Sequence, residues 1–216
     1  MTARAGLVRH IALAVPAPRG PDCVRVGIDG ADGAGKSTFA DELAVAVSAL
    51  GRPVVRISVD DFHRPRAERY RRGRGSAEGF WLDSFDYPRL WTYVLRPLGP
   101  GGDRVYRYGA HDVHSDTEIR AEPRTAEPRT VVVVDGLFLH RNELAGAWEF
   151  SVLLEVDAAT RVRRLALRDG SPDDPDHISL RRYLDGDRLY RAECRPDRRA
   201  DVVIDNSVLD APVLLT

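Results

Sequence analysis

Hydrophobic positions in this chain change period twice within the first sixty residues. Cys23-Val24-Arg25-Val26-Gly27-Ile28-Asp29 alternates and runs into a glycine cluster, the pattern of a strand entering a tight loop. Phe39, Leu43, Ala46 and Leu50 then recur at helical spacing until Gly51 and Pro53 end it, which predicts a helix over residues 36–50. Val54–Val59 is again short and β-branched, completing a strand–helix–strand unit. Farther on, Val131–Val134 and Val152–Val156 are apolar runs suited to strands buried on both faces, and Ala200–Ile204 adds another. Helical patterns over residues 158–169 and 177–193 lie between them. This alternation predicts an α/β fold with a parallel sheet covered on both sides.

Residues 61–130 leave the rhythm: an arginine-rich patch, an aromatic stretch and the turn signal Leu98-Gly99-Pro100-Gly101-Gly102 predict an insertion over the sheet. Within it, Val105–Tyr108 and Thr117–Arg120 are candidate hairpin strands. The tandem Ala-Glu-Pro-Arg-Thr at 121–125 and 126–130 reads as an exposed, proline-rich loop. Residues 1–20 place Arg4 and Arg9 ahead of the apolar Ile11–Ala17, which Pro16 interrupts. Without a convincing cleavage site they read as a helix leading into the domain. No stretch approaches the roughly 18–20 apolar residues of a membrane-spanning helix.

A length of 216 residues suits a single domain over 1–216. The balance of 32 basic and 33 acidic side chains argues against nucleic acid or an acidic membrane as partner. Cys23 and Cys194 are far apart and lack metal-ligand spacing, so reduced thiols in the cytoplasm are expected. Composition changes the picture most at one point. Arginine supplies 31 of the 32 basic residues, and the single lysine is Lys36.

That lysine belongs to Gly30-Ala31-Asp32-Gly33-Ala34-Gly35-Lys36-Ser37, which fits GxxxxGK[ST] between a predicted strand and a predicted helix. Glycines let successive N–H groups turn toward phosphate oxygens, and the helix N-terminus adds its partial positive charge. The alternative is a glycine-rich turn without a ligand, but the placement and the unique lysine favour a nucleoside triphosphate. Gly30, Asp32, Gly33, Ala34, Gly35, Lys36, Ser37 and Thr38 are the candidate contacts. Lys36 would reach the β- and γ-phosphates, and Ser37 would offer its hydroxyl to Mg²⁺. Asp135 ends the Val131–Val134 strand and is the second candidate magnesium residue, although Asp135-Gly136 also suits a plain turn. A GTP switch would need Asn-Lys-x-Asp, which a chain whose only lysine is Lys36 lacks. A small-molecule kinase fits better. Asp60-Asp61 follows the second strand at the sheet edge where such folds bind ligands, so a carboxylate there can accept a hydroxyl proton or simply form a turn.

The phosphate loop, Asp60-Asp61-Phe62-His63, Phe85-Asp86-Tyr87-Pro88, Tyr106-Arg107-Tyr108-Gly109-Ala110-His111, Asp135-Gly136 and the Arg161–Asp169 segment follow one another in an order that resembles the uridine kinase family, within the phosphoribulokinase/uridine kinase group. The likeness runs from about residue 24 to 206. It implies a P-loop NTPase-like three-layer α/β/α fold with a mostly parallel five-stranded sheet, a small acceptor-binding hairpin region within 61–130 and lid helices over 160–200. It also implies transfer from ATP or GTP, with Mg²⁺, to the 5′-hydroxyl of a pyrimidine nucleoside such as uridine or cytidine. In that scheme Asp60 orients and deprotonates the hydroxyl, and Asp86 contacts the ribose. His63, Tyr106, Tyr108 and His111 line the acceptor pocket.

Arg161, Arg164 and Arg168 share one helical face by their i, i+3, i+7 spacing. The resemblance makes them a phosphate clamp, with Arg161 on the nucleotide, Arg164 and Arg168 acting in transfer, and Arg168 also reaching the acceptor. The alternatives are a solvated arginine face paired with Glu155, Asp157 or Asp169, and an exposed hairpin carrying Tyr106, Tyr108 and His111. Trp81 and Phe85 suit a core. The six arginines within 64–74 read as a mobile solvated segment near the acceptor. His63, Tyr87, Tyr108 and Asp135 depart from the usual Tyr, His, Phe and Glu, and Arg182 falls where a base-reading Gln is common. These departures keep other acceptors open, among them pantothenate, ribulose phosphate and nicotinamide riboside, as well as a non-catalytic nucleotide-binding regulator. A homo-oligomer is also left open.

Overall fold

In a computed structural model that describes residues 2–216, β1 (Val24–Gly30) lies in the middle of the sheet, between two strands distant in sequence. α1 (Ala3–Ala14) precedes it, and α2 (Lys36–Ala49) and β2 (Val54–Ser58) follow. The next segment holds α3 (Arg66–Arg69), α4 (Ala77–Asp83) and α5 (Tyr87–Leu90), which continues into a π-helical turn over Trp91–Leu95. Four short strands come next: β3 (Val105–Tyr106), β4 (His111–Asp112), β5 (Thr117–Glu118) and β6 (Arg124–Thr125). The chain then returns to the sheet with β7 (Val131–Gly136) and β8 (Phe150–Glu155). It ends with α6 (Ala158–Asp169), α7 (Ile178–Cys194), α8 (Pro196–Arg199), β9 (Val202–Asp205) and β10 (Val213–Leu214).

The sheet order is β10-β9-β8-β1-β7-β2. β2, β7, β1, β8 and β9 are the five parallel strands expected from the sequence, and β10 adds a sixth, antiparallel to β9. This edge strand is too short to show a period. Ile28 and Ser58 both pair with Asp135, which brings the carboxyl ends of β1, β7 and β2 level. That edge carries the phosphate loop, Asp135 and Asp60-Asp61.

Each strand splits its side chains between two cores because successive residues point to opposite faces. Val131 and Val133 join Val24, Val26 and Ile28 against α1 and α2, while Val132 and Val134 face Trp81, Phe85, Leu90 and Phe138. Each buried valine contributes roughly 1.5–3 kcal/mol. The polar half of β1 is buried as well. Arg25 pairs with Glu149 at 2.6 Å and donates to the Leu95 carbonyl, and Gly27 leaves room for the Trp148 ring, 2.9 Å from where a Cβ would stand.

The insertion differs from its expected layout. β3 pairs with β6 and β4 with β5, so Val105–Tyr108 and Thr117–Arg120 are not partners in one hairpin. The tandem repeat is not wholly exposed: Ala121 and Ala126 are buried, and Arg124–Thr125 forms β6. Trp81 and Phe85 lie in the core as expected. Four of the six 64–74 arginines are paired rather than merely solvated, while Arg66 and Arg74 are exposed. Arg69 is buried, Arg64 pairs with Glu68, and Arg71 and Arg72 both pair with Asp83. Arg64–Glu68 is a local i,i+4 pair, whereas Asp83 of α4 and Asp116 reach these arginines through packing that local composition does not reveal. Cys23 and Cys194 are free and buried. Among the described residues no helix is long and apolar enough to cross a membrane.

Candidate active site

α2 starts directly from the glycine loop, and no side chain caps its N-terminus. Its first amides therefore remain available to an anion. Gly33 has φ +77°, and a Cβ there would stand 2.7 Å from the Arg161 carbonyl oxygen, so only glycine lets α6 pack this closely on the loop. Lys36 Nζ donates to the Ala31 carbonyl at 3.0 Å and has no carboxylate partner among the described residues. The charge that would meet a triphosphate is thus not neutralised internally.

Ser37 Oγ donates to Asp135 Oδ2 at 2.7 Å, uniting the two residues expected to hold magnesium. The other Asp135 oxygen accepts from Arg56 Nη2 at 2.9 Å. Among the described residues no group of three or more His, Cys, Asp or Glu side chains forms a metal cage. One hydroxyl and one carboxylate fit Mg²⁺, which completes its shell with phosphates and water.

Arg161, Arg164 and Arg168 of α6 meet the loop differently. Arg161 Nη1 pairs with Asp187 at 3.3 Å, and its buried Nε has no partner, an orphaned donor beside the phosphate loop. Arg164 donates to the carbonyls of Gly33, Asn206 and Ser207. Its guanidinium holds the loop in place, and burial together with the nearby Arg4 lowers its pKa. Arg168 pairs with Asp32 at 3.5 Å and with Asp169 at 3.0 Å, and its side chain is 60% exposed. The solvated alternative thus describes part of Arg168 and not the other two.

On the acceptor side, Asp60 is exposed, and its carbonyl oxygen lies 2.8 Å from His63 Nδ1. Burial pushes the neighbouring Asp61 carboxyl up, and the charges of Asp60, Asp112 and Asp135 add to that. Ala110 N donates to the Asp61 carbonyl and Phe62 bridges to His111, which fixes β4 against the 59–62 turn. His63 packs on Phe85 with ring centroids 4.4 Å apart, and burial depresses its pKa. His111 is buried, with Nε2 3.5 Å from Asp116 and Nδ1 unpartnered.

Three expected acceptor contacts have other commitments. Asp86 caps α5 by accepting from Arg89 N at 3.0 Å. Tyr106 is 8% exposed and belongs to the core, so it is not on an open hairpin face. Tyr108 is half-buried beneath Arg124, whose guanidinium lies 4.6 Å from the ring centroid.

The structure also brings in residues that sequence reasoning missed. Asp29, fully buried just before Gly30, accepts from Gly30 N, His140 Nδ1 and the Tyr190 hydroxyl. Asn206 Nδ2 donates to the Ala34 carbonyl at 2.8 Å. The only signal for Asp29 was a carboxylate ending a strand at the glycine cluster, and Asn206 gave none. Beside the loop, a narrow cleft is lined by Asp32, Phe80, Arg161, Tyr183 and Asp187. A larger one of about 520 Å³ lies under α5, between Arg64, Phe85, Trp91 and Arg141.

Comparison with known proteins follows the same lines. No curated protein matches the chain. A protein from Bacillus stearothermophilus, described as a possible uridine kinase, superposes with a TM-score of 0.70 at 23% identity, over 93% of this chain and 96% of that one. A Silicibacter protein described as a candidate fructose transport system kinase gives 0.70 at 27% identity, covering 90% and 96% of the two chains. D-glycerate 3-kinase from Cryptococcus neoformans shares the fold at a TM-score of 0.53 and 10% identity, over 89% and 86%. The phosphoribulokinase/uridine kinase family profile matches residues 25–172. With its phosphate loop, its Ser37–Asp135 pair and that match over most of its length, the chain belongs to the phosphoribulokinase/uridine kinase family of P-loop kinases.

Proposed function

We propose that this protein is a cytoplasmic, magnesium-dependent kinase that passes the γ-phosphoryl group of ATP or GTP to a hydroxyl of a small molecule. The observation that carries the reading is the Ser37–Asp135 hydrogen bond of 2.7 Å beneath an uncapped helix start and an unpaired lysine. Bound Mg²⁺ would neutralise phosphate charge there. The amides of residues 33–38 bind and orient the phosphates, and Lys36 leaves the Ala31 carbonyl for the β- and γ-phosphate oxygens. Arg168, the most exposed of Arg161, Arg164 and Arg168, swings from Asp32 to balance charge on the transferring group. Asp60 accepts the acceptor's hydroxyl proton, and His63, held by the Asp60 carbonyl and Phe85, shapes the pocket. Positioning and electrostatics do most of the work in phosphoryl transfer.

A pyrimidine nucleoside, uridine or cytidine, is the acceptor the sequence resemblance puts first. A second reading, another hydroxyl acceptor, is favoured by one observation: Asp86 and Tyr106, which would hold ribose and base, are engaged in a helix cap and in the core. The test is acceptor-dependent ADP formation over a panel of nucleosides, sugars, hydroxy acids and sugar phosphates, alongside calorimetry of ATP and GTP with and without magnesium. Turnover that requires an acceptor and is abolished in Lys36→Ala supports the kinase. ATP binding with slow hydrolysis that no acceptor accelerates would assign the protein to nucleotide-dependent regulation. No magnesium-dependent nucleotide affinity would overturn both.

A further inference from the structure

Three guanidiniums converge on one ring at the lid side of the acceptor site. The charged carbons of Arg69, Arg74 and Arg182 lie 5.3, 5.0 and 5.1 Å from the centroid of Tyr70. Arg69 and Arg74 come from the segment after Asp60-Asp61, and Arg182 comes from α7. Among the described residues their only carboxylate is Asp116, 3.7 Å from Arg69 and shared with His111.

Arg182 is the least compensated. It is 9% exposed, donates from Nη1 to the Arg74 carbonyl at 2.8 Å, and has a buried Nε with no partner. Phe80 and Tyr183 pack against it with centroids 5.4 and 5.2 Å away. These same two rings line the cleft that reaches Asp32 of the phosphate loop. Aromatic faces and one carbonyl relieve part of the cost of burying a cation, yet three like charges gathered with one carboxylate repel one another. The missing charge is negative, Arg74 leaves the cluster open to solvent, and Arg69 ties it through Asp116 to His111, one of the expected acceptor residues. Planar guanidinium donors suit the paired oxygens of carboxylate and phosphate alike.

We propose that Arg69, Arg74 and Arg182 bind an anionic group on the acceptor, a carboxylate or a phosphate, so that the substrate is a negatively charged hydroxy compound. The proposal rests on the kinase reading above and narrows its acceptor. It also gives the 64–74 segment a role, since Tyr70 and the Arg74 carbonyl join that segment to the lid helix through Arg182.

The first measurement is calorimetric titration of inorganic phosphate into the full-length protein saturated with magnesium and a non-hydrolysable ATP analogue, so that the donor's phosphate sites are already filled. Wild type is expected to bind phosphate. Arg182→Gln and Arg74→Gln should each weaken that binding by about tenfold or more, the loss of one charge-assisted hydrogen bond. Affinity for the nucleotide analogue should change by less than about twofold, since neither residue would touch the donor. Arg74 is exposed, so its variant tests the site even if Arg182→Gln folds poorly.

The second measurement compares kcat/KM for hydroxy acids such as glycerate and pantothenate, for ribulose phosphate, and for the neutral uridine, cytidine and glycerol. Preference within the anionic set distinguishes carboxylate from phosphate. In Arg182→Gln the KM of the preferred acceptor should rise while kcat changes little. Absence of phosphate binding in wild type would overturn the proposal. So would equal weakening of nucleotide and phosphate, which would assign the cluster to the donor, or uridine used as well as any anion and unaffected by Arg182→Gln. Phosphate bound at this cluster with no acceptor turned over would leave the anion site standing and remove the kinase reading instead.

Discussion

Tyr190→Phe removes a single hydroxyl from beneath the phosphate loop. That hydroxyl donates to Asp29 Oδ2 and accepts from His140 N at 3.0 Å, while Asp29 also holds Gly30 N and His140 Nδ1, each at 2.7 Å. A hydrogen bond to a charged group contributes about 1.5–3 kcal/mol, and the variant leaves the His140 amide with only a 3.3 Å contact to Asp29. Phenylalanine fills the same space, so no cavity penalty enters. The expected loss is about 2–3 kcal/mol, which at a urea slope near 2 kcal/mol/M lowers the unfolding midpoint by about 1–1.5 M. The loss should also depend on pH. Burial pushes the Asp29 carboxyl up, but hydrogen bonds from His140, Tyr190 and Gly30 outweigh it and hold the folded pKa below the ordinary value. A depressed carboxyl adds stability above its unfolded pKa, about 3.9, and loses it as pH falls through the lower folded value. The difference between wild type and variant should therefore shrink on acidification into that window. A midpoint shift below about 0.25 M at neutral pH, or a difference that acid leaves unchanged, would refute the buried carboxylate network.

Gly33→Ala forces a Cβ to within 2.7 Å of the Arg161 carbonyl at a positive φ that costs about 1–2 kcal/mol, so calorimetry should show ATP affinity reduced about tenfold or more. Unchanged affinity would mean that α6 does not seat on the loop. Asp135→Asn should lower kcat by about 10²-fold and raise the magnesium concentration needed for half-maximal rate; an unaltered magnesium profile would remove Asp135 from the metal site. Asp60→Asn should reduce kcat by at least ~10²-fold with nucleotide binding intact, and near-normal turnover would clear it of a role as base. Because burial and neighbouring carboxylates raise the Asp61 pKa, Asp61→Asn discriminates between the two: loss of the acid limb of the kcat profile in that variant alone would transfer the role to Asp61.

Residues 23–59 show how much local pattern can decide. A strand, a glycine turn and an amphipathic helix each leave a periodic trace, and the turn's chemistry requires glycine and lysine at fixed spacing, so the phosphate loop was legible in order and place. The same holds for the valine run ending at Asp135, because a strand buried on both faces has few other ways to read. The insertion was illegible for the opposite reason. Two-residue strands carry no period, and β3 finds β6 rather than the nearer Thr117–Arg120 through packing that no neighbouring residue encodes.

What the tertiary structure alone decided is which charges meet. Sequence placed arginines on one face of α6, but only the fold sends Arg164 to the carbonyls of residues 33, 206 and 207 while leaving Arg168 exposed. Asp29 looked like the end of an alternating strand, yet the fold encloses it with His140 and Tyr190 from segments more than a hundred residues away. Arg182 is brought to Tyr70 in the same way. Periodicity reports which way a side chain faces within its own element, whereas the partner it meets depends on how distant elements pack, and a charge's energy depends on that partner.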